Sequence, residues 1–341
     1  MIATGPNTAA LVLATALLAA CASAPPPAAL APAQGSALVT CEALAASFAF
    51  ARTTVATATA VSAGELSAAG TAIGPHCRVV GAMNDRVGPI DGKRYAIGFE
   101  MRLPQAWNGR FFYQANGGVD GSVLPAIGLT TIGPGAASAL AKGFAVISSD
   151  AGHAAAQNGS FGIDPQARVD YGYGAVAALT PMAKALIRAA YGRAPDRSYI
   201  GGCSNGGRHA LVAAARMPEA YDGFLVGDPG TVLPRAAIAN LVGGKTYASL
   251  ATNPADIGSA FTPAERRLVS DAVLRRCDAL DGAADGMVND TRACQAAFDL
   301  GRDVPTCAGG RDGTCLSAAQ KAGIGGLFAG VTTASGVRVM T

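Results

Sequence analysis

The stretch Tyr199-Ile200-Gly201-Gly202-Cys203-Ser204-Asn205-Gly206-Gly207-Arg208 places G-x-S-x-G, with Ser204 at its centre, between a short apolar run and an Ala-rich segment reaching Met217. That order predicts a strand, a tight turn and a helix. The glycines let the backbone fold sharply without Cβ clashes, and the turn lifts the serine Oγ clear of the sheet. The Asn205 N–H then faces the space beside Oγ where a tetrahedral oxyanion would form, and the helix N-terminus adds partial positive charge. A merely tight glycine turn could carry the same letters; the strand before it and the helix after it favour a nucleophile. Cys203 precedes the apex, so its side chain is expected to point away from the substrate side, in a structural role.

Outward from this turn, alternating or apolar runs at Cys77 to Met83, Tyr95 to Leu103, Phe111 to Ala115, Phe144 to Ser148, Ser198 to Gly201 and Gly223 to Val226 read as strands. Ala167 to Tyr191, Gly206 to Met217 and Pro263 to Arg276 read as helices. Alternation of the two from about residue 94 to 230 implies an α/β fold with a mostly parallel sheet. The loop Asn116-Gly117-Gly118-Val119-Asp120-Gly121 follows the strand Phe111 to Ala115 and is the candidate source of a second oxyanion N–H, at Gly118; a plain turn is the other reading. After Gly230 the strand signal fades, and Gly, Asp and Cys with short helical stretches suggest a cysteine-stapled insertion.

The chain has 341 residues and a net charge of +3 from 26 basic and 23 acidic side chains. With no Lys/Arg cluster, a nucleic-acid surface is excluded as a reading. Eight cysteines, at 21, 41, 77, 203, 277, 294, 307 and 315, suggest an oxidising compartment. Ala9 to Ala20 is too short to span a bilayer but suits a signal-peptide core, and Leu18-Ala19-Ala20-Cys21 reads as a lipobox. On that reading residues 1–20 are a lipoprotein signal peptide and Cys21 is lipidated, anchoring the protein at the outer membrane. Residues 21–40 then form a Pro/Ala-rich tether. An ordinary secretory peptide is the alternative, and either one exports the protein.

Gly202-Cys203-Ser204-Asn205-Gly206-Gly207-Arg208, with Cys directly before Ser, resembles the tannase and feruloyl esterase family of α/β-hydrolases. The likeness extends to Trp107-Asn108-Gly109-Arg110-Phe111-Phe112, Ser149-Asp150-Ala151-Gly152-His153, Phe161 to Arg168 and Tyr221 to Gly227. The resemblance implies an exported serine esterase that takes small aromatic carboxylic esters of feruloyl, galloyl or terephthaloyl monoester type. It implies Ser204 as nucleophile, with the Gly118 and Asn205 N–H groups as oxyanion donors. In Cys277-Asp278-Ala279-Leu280-Asp281-Gly282-Ala283-Ala284-Asp285-Gly286-Met287 it implies a structural Ca²⁺ site in a lid. Its ligands would be the side chains of Asp278, Asp281 and Asp285 and the carbonyls of Ala283 and Met287. The family layout pairs Cys41 with Cys77, Cys277 with Cys294 and Cys307 with Cys315.

The family pattern also implies a later Asp and a His-Cys pair, that Cys bonded to the one before the serine. No His-Cys pair follows Ser204, and Cys203 is left without a partner. The expectation is therefore an incomplete α/β-hydrolase fold: residues 41–230 form the N-terminal part of the catalytic domain, residues 231–341 begin the lid, and the triad Asp and His are lost by C-terminal truncation, leaving little activity. Of the three histidines, His76, His153 and His209, only His153 is a candidate substitute base. His209 lies five residues along the helix, turned away from Oγ. A non-catalytic, calcium-stabilised surface lipoprotein is the competing reading. Oligomeric state is not legible.

Overall fold

The computed structural model describes residues 31–129 and 138–340. The signal peptide, Cys21 and the first part of the tether lie outside the described residues. The chain divides into two compact units, residues 1–230 and 231–341.

The first unit is built on a seven-stranded sheet: β1 (Thr53–Val61), β2 (His76–Val87), β3 (Arg94–Pro104), β4 (Arg110–Gln114), β5 (Ala145–Ser149), β6 (Arg197–Cys203) and β7 (Gly223–Gly227). The spatial order is β7-β6-β4-β5-β3-β2-β1. Neighbours from β5 to β7 are parallel, while β1, β2, β3 and β5 pair antiparallel in succession. The half that carries Ser204 is thus the α/β half, and the sheet as a whole is mixed. β1, TTVATATAV, escapes a hydrophobicity reading because it is an edge strand whose alternation is Ala against Thr.

Helices α1 (Pro165–Val169), α2 (Ala175–Tyr191) and α3 (Asn205–Arg216) follow from local signals. Asp164 caps α1 by accepting the Ala167 N–H, with Pro165 in the first turn, and Gly192 in the left-handed region ends α2. The long helix expected over Ala167 to Tyr191 is interrupted by a π-turn at Asp170–Gly174. Val176, Leu179, Met182, Leu186 and Ile187 of α2 share one core with Phe99, Met101, Leu103, Phe111, Ile147 and Ile200 of the sheet. Burying each such side chain contributes about 1.5–3 kcal/mol.

Part of the expected tether is structure. Ser36–Ala37 pairs with Ala106–Trp107, and Leu38 and Val39 donate N–H bonds to Gln105 and Ala190 carbonyls. Gln34 N–H donates to Asp196 at 2.8 Å, and Arg197 reaches the Ala31 carbonyl at 2.8 Å. The extended, Pro-rich composition leaves these backbone groups free to pair with the domain.

The second unit contains α4 (Leu233–Leu250), α5 (Pro263–Cys277), α6 (Thr291–Ala297), α7 (Leu300–Asp303) and α8 (Ala318–Phe328). Its core holds Ala260, Phe261, Val269, Ala272, Val304 and Leu316. A capping box between Thr262 and Glu265 starts α5. Glu265 also binds Arg311, which holds its carboxyl down at about 2. The disulfides are Cys41–Cys77, Cys277–Cys294 and Cys307–Cys315, the pairs the family layout implies. Among the described residues no helix is long and apolar enough to cross a membrane.

Candidate active site

Strands β4 and β6 are adjacent and parallel, with Gly201 opposite Gln114, so the segments leaving their C-terminal ends meet at one edge of the sheet. This brings the loop Asn116–Gly121 beside Ser204, an arrangement open α/β sheets favour for ligand sites. The approach is close. A Cβ on Gly202 would lie 2.4 Å from the Ala115 carbonyl oxygen, and one on Gly206 only 2.2 Å from the same atom. Glycine is therefore required at both ends of the turn by backbone contact.

Ser204 sits at φ 58°, ψ −122°, a conformation that costs a non-glycine residue about 1–3 kcal/mol. Backbone bonds hold it there: its N–H donates to the Gly227 carbonyl at 3.0 Å, and its carbonyl accepts from Arg208 and Gly230 at 3.0 and 3.2 Å. Its side chain is exposed at the sheet edge. Asn205 is the first residue of α3, and Gly118 adopts φ +67° in the facing loop. Among the described residues neither of these two N–H groups is taken by a protein acceptor.

Cys203 ends β6, exposed, and is the free cysteine among the described residues.

No histidine is hydrogen-bonded to Ser204. His76 begins β2, at the sheet edge opposite the elbow, held by the Gly74 carbonyl at 2.9 Å and Arg102 at 2.7 Å. His153 is only 1 % exposed, with Nε2 on the Asn158 amide oxygen at 2.8 Å and its ring stacked on Phe161 at 3.9 Å. Burial pulls its pKa down. Its remaining nitrogen, Nδ1, is buried without a partner. A general base must reach the proton it takes, directly or through one water, and this ring is committed elsewhere. His209 is buried against Asp120, Nε2 to Oδ2 at 2.9 Å.

Beneath the turn lies a polar cluster that sequence reasoning passed over. The Asn205 side chain donates to Asp120 at 2.6 Å and accepts from Tyr171 at 3.0 Å and Arg208 at 2.8 Å. Arg208 also donates to the Tyr171 and Gly172 carbonyls of the π-turn, both at 3.1 Å. The only sequence signals were an Asp in the glycine loop and an Arg after the second glycine pair. Nearby, Asp150 accepts N–H bonds from Gly98 and Gly152, yet burial pushes its carboxyl up to about 7.

In the second unit, the five residues expected to bind Ca²⁺ lie in one exposed loop. Asp278 accepts from the Asp285 and Gly286 N–H groups, Asp281 from Ala283 and Asn289, and Asp285 from Met287. The donor set is all oxygen and suits a hard cation. The carboxylates are turned to backbone amides, and among the described residues no three His, Cys, Asp or Glu side chains are grouped as metal ligands.

The family model described as tannase and feruloyl esterase matches residues 77–341. The mono(2-hydroxyethyl) terephthalate hydrolase of Piscinibacter sakaiensis is 42% identical over 296 residues, covering 79% of this chain and 48% of that protein. An uncharacterised esterase of Agrobacterium fabrum is 35% identical over 229 residues, covering 65% and 39%. The crystal structure of feruloyl esterase B from Aspergillus oryzae superimposes with a TM-score of 0.69 at 25% identity, over 88% of this chain and 57% of that one. The chain thus spans about half the length of, or less than half of, the curated relatives it matches.

Proposed function

This chain belongs to the tannase and feruloyl esterase family, and on that premise we propose that it is an exported carboxylic ester hydrolase for aromatic esters of feruloyl, galloyl or terephthaloyl monoester type. The observation that carries the proposal is the exposed Ser204 at a left-handed elbow, flanked by two unclaimed N–H groups. Ser204 Oγ attacks the ester carbonyl, the Gly118 and Asn205 N–H groups receive the oxyanion, and the alcohol leaves. Water then attacks the acyl-enzyme and regenerates the serine. His76, His153 and His209 are each bound elsewhere, so in the test below added imidazole takes the Ser204 proton as Oγ attacks, gives it to the departing alcohol, and serves the attacking water in the same way in the second step.

Three disulfides suit an oxidising compartment outside the cytoplasm. We further propose a lipid on Cys21 and one structural Ca²⁺ held by Asp278, Asp281 and Asp285 with the Ala283 and Met287 carbonyls. The ion would neutralise the clustered carboxylates and stiffen the lid.

The test is chemical rescue. The 341-residue chain is mixed with p-nitrophenyl ferulate with and without imidazole, and acylation is followed by p-nitrophenol release and the mass of the Ser204 peptide. Slow acylation that imidazole accelerates and Ser204→Ala abolishes is the expected result. Rapid, imidazole-independent turnover lost in His153→Ala would restore His153 as base. No acylation of Ser204 under any condition would leave a non-catalytic binding protein.

A further inference from the structure

The two oxyanion donors sit on different parts of the chain: Gly118 on the loop after β4, Asn205 at the start of α3. Their separation must be fixed to a fraction of an ångström for both to reach one oxygen. We propose that Asp120 and His209 are the positioning residues that fix it, an inference that rests on the reading of Ser204 as an acylated nucleophile.

Asp120 lies two residues after Gly118 and holds φ 58°, a strained value for a residue with a Cβ. Its side chain is 2 % exposed, and an unpaired buried carboxylate would be costly. Both expenses are met by one contact set. Asn205 Nδ2 donates to Asp120 Oδ2 at 2.6 Å, and His209 Nε2–H donates to the same oxygen at 2.9 Å. Asn205 and His209 are one helical turn apart, so they grip that oxygen from one face of α3. The residue that offers one oxyanion N–H from its backbone therefore clamps, through its side chain, the loop that offers the other.

The clamp is anchored on its far side. Asn205 Oδ1 accepts from Tyr171 and Arg208, and the Arg208 guanidinium, 4.5 Å over the Tyr171 ring, takes the Tyr171 and Gly172 carbonyls. His209 Nδ1 has no protein partner; Nε2 lies 2.9 Å from Asp120 Oδ2 and 3.2 Å from Arg208 Nη2, and the shorter contact, to a carboxylate that can only accept, places the proton on Nε2.

The experiment uses the 341-residue chain with p-nitrophenyl ferulate and imidazole, together with amide hydrogen exchange across residues 117–121. His209→Leu removes the donor at similar volume; His209→Gln restores a side-chain N–H. His209→Leu is expected to lower the limiting acylation rate about 10²-fold, the loss typical of one oxyanion donor, with the half-saturating ester concentration unchanged. Exchange at 117–121 should rise about tenfold. His209→Gln should stay within about threefold of the parent on both readouts. Should His209→Leu fail to fold, His209→Ala, which removes the same donor without adding apolar bulk to the cluster, carries the same expectation. A folded His209→Leu with unchanged rate and exchange overturns the proposal, as does equal loss in His209→Gln and His209→Leu. If the parent chain shows no Ser204 acylation, the nucleophile reading fails by itself, and the exchange measurement alone decides the clamp.

Discussion

Replacing Gly206 by alanine tests whether the elbow is held by backbone contact. The added Cβ would stand 2.2 Å from the Ala115 carbonyl oxygen and 2.9 Å from its carbon, against 3.4 Å for ordinary contact, a shortfall of 1.2 Å at the oxygen. Neither atom belongs to a flexible side chain, so α3 and the end of β4 must separate. Overpacking of this kind costs about 1–3 kcal/mol. For a unit of this size that lowers the melting temperature by about 2–12 °C, at roughly 2–4 °C per kcal/mol. Function should suffer more than stability, because the displaced backbone carries both proposed oxyanion donors: Ala115 leads into the Gly118 loop and Gly206 follows Asn205. A misplacement of about 1 Å can cost on the order of 10²-fold in rate. The assay pairs calorimetry with imidazole-supported acylation of Ser204, using Gly74→Ala, a position with open space around its Cβ, as control. A Gly206→Ala chain that melts and acylates like Gly74→Ala would refute the argument.

Three further outcomes are expected. Replacing Cys41 and Cys77 together by alanine opens a loop of 36 residues, a loss of about 4 kcal/mol in the chain-entropy account, and calorimetry should show the first unit melting about 8–16 °C lower. Asp150 has a folded pKa raised to about 7, so the folded state binds its proton more tightly than the unfolded state, and its contribution to stability is lost as pH rises from about 4 towards 7. Asp150→Asn, which keeps an acceptor for the Gly98 and Gly152 N–H groups, should flatten that part of the urea-unfolding profile; an unchanged profile would remove Asp150 as its cause. Calcium at 100 times its dissociation constant should stabilise the second unit by about 2.7 kcal/mol in calorimetry, and Asp281→Ala should abolish the effect. No calcium-dependent shift in the parent chain would dismiss the site.

The elbow was legible because its signal is local: a short apolar run, glycines where backbones touch, and an Ala-rich helix follow one another within a few residues. β1 was not, since alternating Ala and Thr on an edge strand lack the contrast that marks a half-buried strand. The π-turn within Ala167 to Tyr191 was hidden because its residues continue a helical pattern and only tertiary bonds from Arg208 reveal the shift. The Asp120 clamp could not be read either, as Asp120 and His209 are 89 residues apart and only the adjacency of β4 and β6 joins them. Sequence scarcity of histidine was informative, but which partners each ring holds is a property of packing alone.

The docking of residues 31–40 also decides which way the molecule would face. The chain is fastened through Ala31 and Gln34 to Arg197 and Asp196, at the start of β6, whereas Ser204 follows the far end of that strand, about 23 Å away at roughly 3.3 Å per residue. Nine residues lie between Cys21 and Ala31, ten Cα-to-Cα steps that span at most about 36 Å. A lipid on Cys21 would therefore be a short mooring at the stern, leaving Ser204 at the bow, turned out from the bilayer.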